Sequence, residues 1–326
     1  MKYILVTGGA GFIGSNFIQY IFKNHEDYYV INLDKLTYAG SLDNIRIIDK
    51  NRYDFFKGDI RNFEIVDNIF RNYPIDYVVN FAAESHVDRS LKNPQKFLET
   101  NVLGVQNLLE VSLKYWGGIF ENKKFLQIST DEVYGDRKGR DFADENTLLN
   151  PSSPYSASKA SGEMIVKSYG KSYGLPYNIA RSSNNYGPKQ HEEKLIPMVI
   201  NNLIKNQEIP IYGDGKQKRD WIYVEDNCRG IMKILRKGIN REVYNLGTGK
   251  LTENINLVQI LIERLNKKLN DKYINTDLIK YVEDRLGHDR EYRLDCRKIK
   301  DQLNWKETFD LKMGLEKTIE WYSNKI

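Results

Sequence analysis

Over the first half of the chain, short apolar runs alternate with amphipathic stretches. The runs Tyr3-Ile4-Leu5-Val6-Thr7, Tyr28-Tyr29-Val30-Ile31-Asn32-Leu33, Tyr53-Asp54-Phe55-Phe56, Asp76-Tyr77-Val78-Val79-Asn80-Phe81 and Phe125-Leu126-Gln127-Ile128-Ser129 are rich in β-branched and aromatic residues. Near-continuous apolarity of this kind predicts strands of a parallel sheet buried on both faces. Between them the spacing predicts helices at roughly 12–24, 62–72 and 94–116, and a helix over 155–172 is followed by a strand near 177–182. Strand-helix alternation predicts an α/β fold with a doubly wound parallel sheet. After Arg181 the pattern loosens. Polar, Gly- and Pro-punctuated loops fill 182–219 and 247–296, among helices at about 194–205 and 255–267, while 221–246 returns to strand and helix. The expectation is one large domain from 1–181 plus about 221–246, and a second, smaller α/β substrate lobe from about 182–220 plus 247–326.

Composition narrows the class without naming it. At 326 residues the chain can bury a sizeable core, and 40% hydrophobic with 29% charged residues describes a globular protein. The net charge of +5 comes from 49 basic and 44 acidic residues interleaved without a basic block, which argues against a nucleic-acid partner. A mildly basic balance still favours a diphosphate substrate through long-range steering. The first strand starts at Lys2, leaving no room for a signal peptide, and no apolar run approaches the roughly 18 residues of a membrane span. Cys228 and Cys296 are too few and too far apart for a disulfide scaffold, and the four histidines show no metal-ligand spacing. No metal site is expected, and a reducing cytoplasm fits best.

Gly8-Gly9-Ala10-Gly11-Phe12-Ile13-Gly14 follows the first strand and opens a helix. From Gly9 it reads G-x-G-x-x-G. Glycines there allow the tight turn and let backbone approach a pyrophosphate at the positive helix N-terminus, which predicts a Rossmann-type dinucleotide site. Asp34 ends the second strand, twenty residues past Gly14. Its carboxylate can accept the adenosine ribose hydroxyls and repel a 2′-phosphate, so NAD is favoured over NADP, although Lys35 adds a cation beside it. Gly58-Asp59-Ile60 is placed to flank the adenine, and Phe81-Ala82-Ala83-Glu84 to let small residues approach the middle of the cofactor.

Tyr155 and Lys159 fall one helical turn apart on the same face, in a helix that starts after Pro154. For a tyrosine to act as a base near neutrality, its pKa must fall by roughly three units from about 10, worth about 4 kcal/mol. A nearby ammonium and a positive nicotinamide ring can together supply that fall. With 22 tyrosines a chance Tyr-x-x-x-Lys pair is common, so the spacing carries weight only beside the glycine fingerprint. Thr130 ends the fifth predicted strand, at the carboxyl edge where such sheets bind ligands, and its hydroxyl can hold a sugar oxygen that Tyr155 deprotonates. Asp131 and Glu132 come next. A sugar oxidised to a ketone at C4 has an acidified proton at C5. Glu132 could remove it, and Asp131, kept protonated by burial or by its neighbour's charge, could protonate the hydroxyl leaving C6. A plain acidic turn at a strand end is the competing account.

Several longer segments point the same way: Thr-Gly-Gly-Ala-Gly-Phe-Ile-Gly-Ser at 7–15, Asp-Lys-Leu-Thr-Tyr-Ala-Gly at 34–40, Ala-Ala-Glu-Ser-His-Val-Asp-Arg-Ser at 82–90, Ser-Thr-Asp-Glu-Val-Tyr-Gly at 129–135 and Ser-Pro-Tyr-Ser-Ala-Ser-Lys-Ala at 153–160. Ser-Asn-Asn-Tyr-Gly-Pro at 183–188, Glu-Lys-Leu-Ile-Pro at 193–197, Tyr-Gly-Asp-Gly at 212–215, Arg-Asp-Trp at 219–221 and Asp-Arg-Leu-Gly-His-Asp-Arg at 284–290 follow in order. Through them nearly the whole chain resembles the extended short-chain dehydrogenase/reductase family, and within it the dTDP-glucose 4,6-dehydratases. The resemblance implies NAD contacts at Phe12, Ile13, Asp34, Lys35, Leu36, Thr37, Asp59, Ile60, Ala82, Ala83, Thr100, Tyr155, Lys159 and Asn185, beside Gly8, Gly11 and Gly14. It implies contacts with a nucleotide-diphosphate sugar at Ser85, Thr130, Asn184, Lys194, Leu195, Pro210, Ile211, Tyr212, Arg219 and Asn254, through Asp284, Arg285, Leu286, Gly287 and His288, and at Tyr292. Arg219 makes independent sense, because a guanidinium matches a diphosphate in two bonds. The resemblance also implies a homodimer built through the helices at 94–116 and 155–172. Around Tyr292 the residues Glu291 and Arg293-Leu294 depart from the family's usual pattern, as do Ser182 and His191-Glu192. A UDP- or CDP-glucose 4,6-dehydratase, a nucleotide-sugar 4-epimerase and a redox-inert binding protein are the rival expectations. The epimerase shares the glycines, Tyr155 and Lys159 but has no use for an acid-base pair after Thr130.

Overall fold

A computed structural model describes residues 1–45 and 49–324. The first half builds β1 (Lys2–Thr7), α1 (Phe12–Asn24), β2 (Tyr28–Asp34), β3 (Tyr53–Lys57), α2 (Phe63–Asn72), β4 (Ile75–Asn80), α3 (Val87–Lys92), α4 (Pro94–Leu98), α5 (Gly104–Trp116), β5 (Lys124–Thr130), α6 (Pro154–Tyr173) and β6 (Tyr177–Ser182). The second half adds β7 (Asn184–Tyr186), α7 (Leu195–Ile204), β8 (Ile209–Tyr212), β9 (Lys218–Tyr223), α8 (Val224–Lys237), β10 (Glu242–Leu246), β11 (Leu251–Glu253), α9 (Asn254–Leu269), β12 (Ile279–Val282), α10 (Arg297–Leu303) and α11 (Leu311–Ser323).

Seven strands pair in the order β10-β6-β5-β4-β1-β2-β3, and every neighbouring pair is parallel. Strand order reverses between β1 and β4, so the crevice at their carboxyl ends is where such sheets take ligands. The near-continuous apolar runs are explained by helices on both faces. Ile4, Val6, Val30 and Leu126 pack on one side with Phe17, Ile231 and Ile299. Leu5, Ile31, Val78 and Phe125 pack on the other with Val66, Leu108 and Val166.

The predicted helix at 94–116 is not uniform. Pro94 occupies the first turn of α4, and residues Glu99–Leu103 form a π turn before α5 continues to Gly117, a left-handed cap. The turn lets the Asn101 side chain bond the Glu84 backbone from both ends and the Ser158 hydroxyl of α6. Insertions of this kind recur at functional sites because they redirect side chains. α6 starts on a reciprocal cap, with Ser153 and Ser156 each accepting the other's backbone N–H.

Small sheets form from β11-β9-β7 and from β12-β8. Around them Tyr186, Ile200, Ile211, Trp221, Leu261 and Leu315 make a separate core. β9, at Lys218–Tyr223, joins this smaller sheet, while α8 and β10 return to the large one. Leu294, Cys296, Ile299, Leu303 and Trp305 also pack under the large sheet. Tyr292-Arg293-Leu294-Asp295-Cys296 alternates apolar and charged residues, but nothing local in that pattern says which sheet the segment packs under.

Candidate active site

The turn from β1 into α1 brings backbone against backbone. Gly8 has φ +70°, and a Cβ there would stand 2.6 Å from the Ala82 nitrogen. A Cβ on Gly14 would stand 2.3 Å from the Gly8 oxygen. Neither position admits a side chain. Gly11 caps α1 without a side-chain bond, so the first N–H groups of the helix are open to an anion. Gly8, Gly11, Phe12, Ile13 and Gly14 line one cleft. Its walls continue through Asp34, Lys35 and Thr37, then Asp59 and Ile60, then Ala82, Ala83 and Thr100, and end at Tyr155 and Lys159.

Asp34 accepts from the Ala10 and Leu36 nitrogens, each at 2.8 Å, and burial raises its pKa against those bonds. Each oxygen keeps a lone pair for a ribose hydroxyl. Lys35 is paired with Asp59 at 2.8 Å, where Arg61 also binds. Despite burial, these two cations hold Asp59 down at about 2. Lys35 is thus already paired with a carboxylate of the cleft wall. A glycine turn under an open helix end, with a carboxylate at the next strand end, fits a dinucleotide. Leu36 and Asn185 are not among the described residues lining this cleft. Leu36 offers a strained backbone (φ +56°), and Asn185 bonds the Ser183 carbonyl. Gln190, His191 and Glu193 do line it, without any spacing that marks them in the sequence.

Thr130 closes β5 and caps one 3₁₀ turn, Asp131–Tyr134, by accepting from the Glu132 nitrogen. Its hydroxyl donates to Asp131 Oδ1 at 3.1 Å, while Asp131 Oδ2 is buried without a partner among the described residues. Burial, reinforced by the charge of Glu132, raises the Asp131 pKa well above the carboxylate range. Burial raises Glu132 too, but Arg285, Arg219 and Lys194 oppose it. Adjacent carboxyls in such unlike surroundings separate into a proton donor and a proton acceptor.

Tyr155 is 8% exposed and packs edge-on against Phe97. Here the structure departs from the expectation of a phenol lowered by Lys159. Burial and the charge of Glu132 raise Tyr155, and only the Thr130 hydroxyl lowers it. The Lys159 ammonium instead donates to the Ile128 carbonyl at 2.6 Å, and burial lowers it to about 8 despite Glu163. Lys159 thus anchors α6 to the end of β5 through the Ile128 carbonyl and is not among the groups that lower Tyr155.

Opposite stands the substrate side. Lys194 and Leu195 open α7, with the Lys194 ammonium 3.1 Å from the carbonyl of Ser85. Along β8, Pro210 and Tyr212 are exposed while Ile211 is buried in the small core, so Ile211 can offer a ligand only backbone. Tyr212 reaches Asp88 at 3.4 Å and meets His288 edge-on. Burial and Arg285 push His288 down to about 4, although Asp284 lies 2.5 Å away. Leu286 is 80% exposed, and Gly287 turns left-handed at φ +64°. Asn184 and Asn254 keep buried side-chain oxygens unpartnered among the described residues. Arg219 is 5% exposed, donates to the carbonyls of Lys218, Asp289 and Arg290, and stacks 4.2 Å over Tyr292. Tyr292, expected to touch the nucleotide or sugar, places its hydroxyl oxygen 2.9 Å from Asp289 Oδ2 and 3.4 Å from Glu132 Oε2.

Comparison with known proteins agrees with this geometry. A family model described as GDP-mannose 4,6 dehydratase matches residues 5–318. The chain is 45% identical to a dTDP-glucose 4,6-dehydratase of Escherichia coli, covering 98% of this chain and 93% of the relative. It superposes on a dTDP-glucose 4,6-dehydratase of Bacillus anthracis, solved with NAD, with TM-score 0.88, 41% identity and 99% and 97% coverage. A UDP-glucose 4-epimerase of Thermotoga maritima superposes with the same score of 0.88 but at 32% identity, covering 99% of both chains. The fold alone therefore does not separate the two chemistries.

Proposed function

Because the chain belongs to the GDP-mannose 4,6 dehydratase family, alongside the dTDP-glucose 4,6-dehydratases, we propose that it removes water from dTDP-glucose, giving dTDP-4-keto-6-deoxyglucose. NAD held along the cleft from Gly11 to Tyr155 would supply a hydride acceptor at C4 and, once reduced, a hydride donor at C6. Tyr155 accepts the C4 hydroxyl proton, with Thr130 holding that oxygen. Glu132 removes the C5 proton that the new ketone has acidified. Asp131 protonates the C6 hydroxyl, which leaves as water. The observation that carries the reading is the unequal pair after Thr130. Asp131 is buried with an oxygen unpartnered among the described residues and a raised pKa, and Glu132 feels three cations. An epimerase needs neither group.

Incubation with dTDP-glucose in deuterated water should yield a product lighter by one water and labelled at C5. A galactose isomer of unchanged mass would select the epimerase instead. UDP- and CDP-glucose, tested in parallel, decide the base.

We further propose a homodimer. The packed helices α4, α5 and α6 and the turn between α4 and α5 leave Leu98, Leu103 and Met164 exposed. A cytoplasmic setting is supported by two buried free thiols, Cys228 and Cys296. Two lobes are supported by the separation of the small core from the clusters under the large sheet.

A further inference from the structure

We propose that Tyr292 and Asp289 form a relay carrying the proton of Glu132 to and from solvent. This rests on the dehydration reading of the same site. Among the described residues, Tyr292 is the one side chain within hydrogen-bond reach of the Glu132 carboxyl group, at 3.4 Å to Oε2. The same hydroxyl lies 2.9 Å from Asp289 Oδ2. A phenol has one proton to give, and the shorter contact claims it. A lone pair of the Tyr292 oxygen therefore faces Glu132 while its O–H points at Asp289. That polarity suits a proton leaving Glu132. Contacts of catalytic groups are often long before substrate binds and tighten afterwards, so 3.4 Å is no bar.

The pair is built into the fold. Tyr292 is 3% exposed, and Arg219 lies over its ring while donating to the Asp289 carbonyl at 2.8 Å. One guanidinium thus holds both members in register. Asp289 is buried and bonded by the side chain of Ser152, which is exposed at the surface. Glu132 also feels Arg285, Lys194 and Arg219, and Asp289 feels Asp136 and Arg219. With a sugar seated over Glu132, the Tyr292–Asp289–Ser152 chain remains as a polar way out.

The transfers balance without any oxidant. The C5–H bond breaks and its proton makes the O–H of Glu132. That O–H breaks as one forms on Tyr292, whose original O–H breaks as one forms on Asp289. Asp289 gives the proton to water beside Ser152. The reverse sequence delivers a solvent proton to Glu132 and so to C5.

The test uses dTDP-glucose in deuterated water and reads C5 label per molecule of product by NMR, early in the reaction. Wild-type product should carry deuterium at C5 in nearly every molecule. Tyr292→Phe and Asp289→Asn should each retain the substrate's own hydrogen in a several-fold larger share, whatever their turnover, and Asp289→Glu should restore exchange. A structural role alone would slow product formation without changing the labelled fraction. Complete labelling in both blocking variants overturns the relay, as does wild-type product that keeps its own hydrogen. If Tyr292→Phe does not fold, Asp289→Asn decides. Failure of the wild type to remove water is a different result, visible before any variant is made, and removes the dehydration reading itself.

Discussion

Asp131 and Glu132 are neighbours in sequence, yet the fold gives them opposite surroundings. Asp131 has an oxygen unpartnered among the described residues and feels the cation of Arg219, whereas Glu132 feels Arg285, Arg219 and Lys194. Replacing Glu132 with Gln should let oxidation proceed and block elimination, so reduced nicotinamide absorbance accumulates on the enzyme. Undiminished turnover would remove Glu132 from the reaction. Asp131→Asn should cost about 10²–10⁴-fold in product formation, the usual worth of a positioned acid. The same substitution has a stability consequence with a definite sign. Folded Asp131 holds its proton at pH values where the unfolded chain has lost it, so its contribution turns unfavourable as pH rises above about 4. Asp131→Asn should therefore stabilise the protein at neutral pH and lose that advantage in more acidic solution. Denaturant titrations at the two pH values check it. Asp34→Ala should weaken NAD binding and relax the preference over NADP, since its two backbone-anchored oxygens line the cleft under the glycine turn. An unchanged preference would show that another group reads the ribose.

At the scale of elements, α6 carries Tyr155 and Lys159 on one face and is held to the sheet by a buried ion pair one turn further on. Glu163 and Arg181 are both essentially inaccessible and meet at 2.6 Å, with the guanidinium also 2.6 Å from the Tyr134 hydroxyl. Removing one partner of such a pair leaves an unpaired buried charge, so Glu163→Gln should cost about 3–5 kcal/mol of unfolding free energy. The double variant Glu163→Leu with Arg181→Met should recover most of it. Local features of this region were legible in the sequence. The Tyr-x-x-x-Lys spacing, the helix start at Pro154 and the Thr130-Asp131-Glu132 strand end all depend on residues within a turn of one another. The π turn at 99–103 was not legible, because Asn101 earns it through bonds to Glu84 and Ser158, far away in the chain. Nor was the contact of Tyr292 with Glu132, 160 residues apart, which only tertiary packing creates. The commitment of Lys159 to a backbone carbonyl was hidden for the same reason.

For the whole molecule, the expected dimer places two α4–α5 and α6 surfaces together. Leu103→Glu combined with Met164→Glu should convert it to a monomer in sedimentation experiments, with the fold retained. Wild-type protein sedimenting as a monomer at working concentration would end that proposal. The course of the chain between its cores has its own consequence. Among the described residues, members of 4–45, 53–180, 222–246 and 294–305 pack around the large sheet, and members of 186–223, 257–279 and 309–322 form the small core, with Ile222 facing the first and Trp221 and Tyr223 the second. A new substrate specificity therefore cannot be installed by fusing a foreign lobe at a single junction. Any chimera must splice three separate stretches at once, and a protease nick in one linker leaves the halves still laced together by the others.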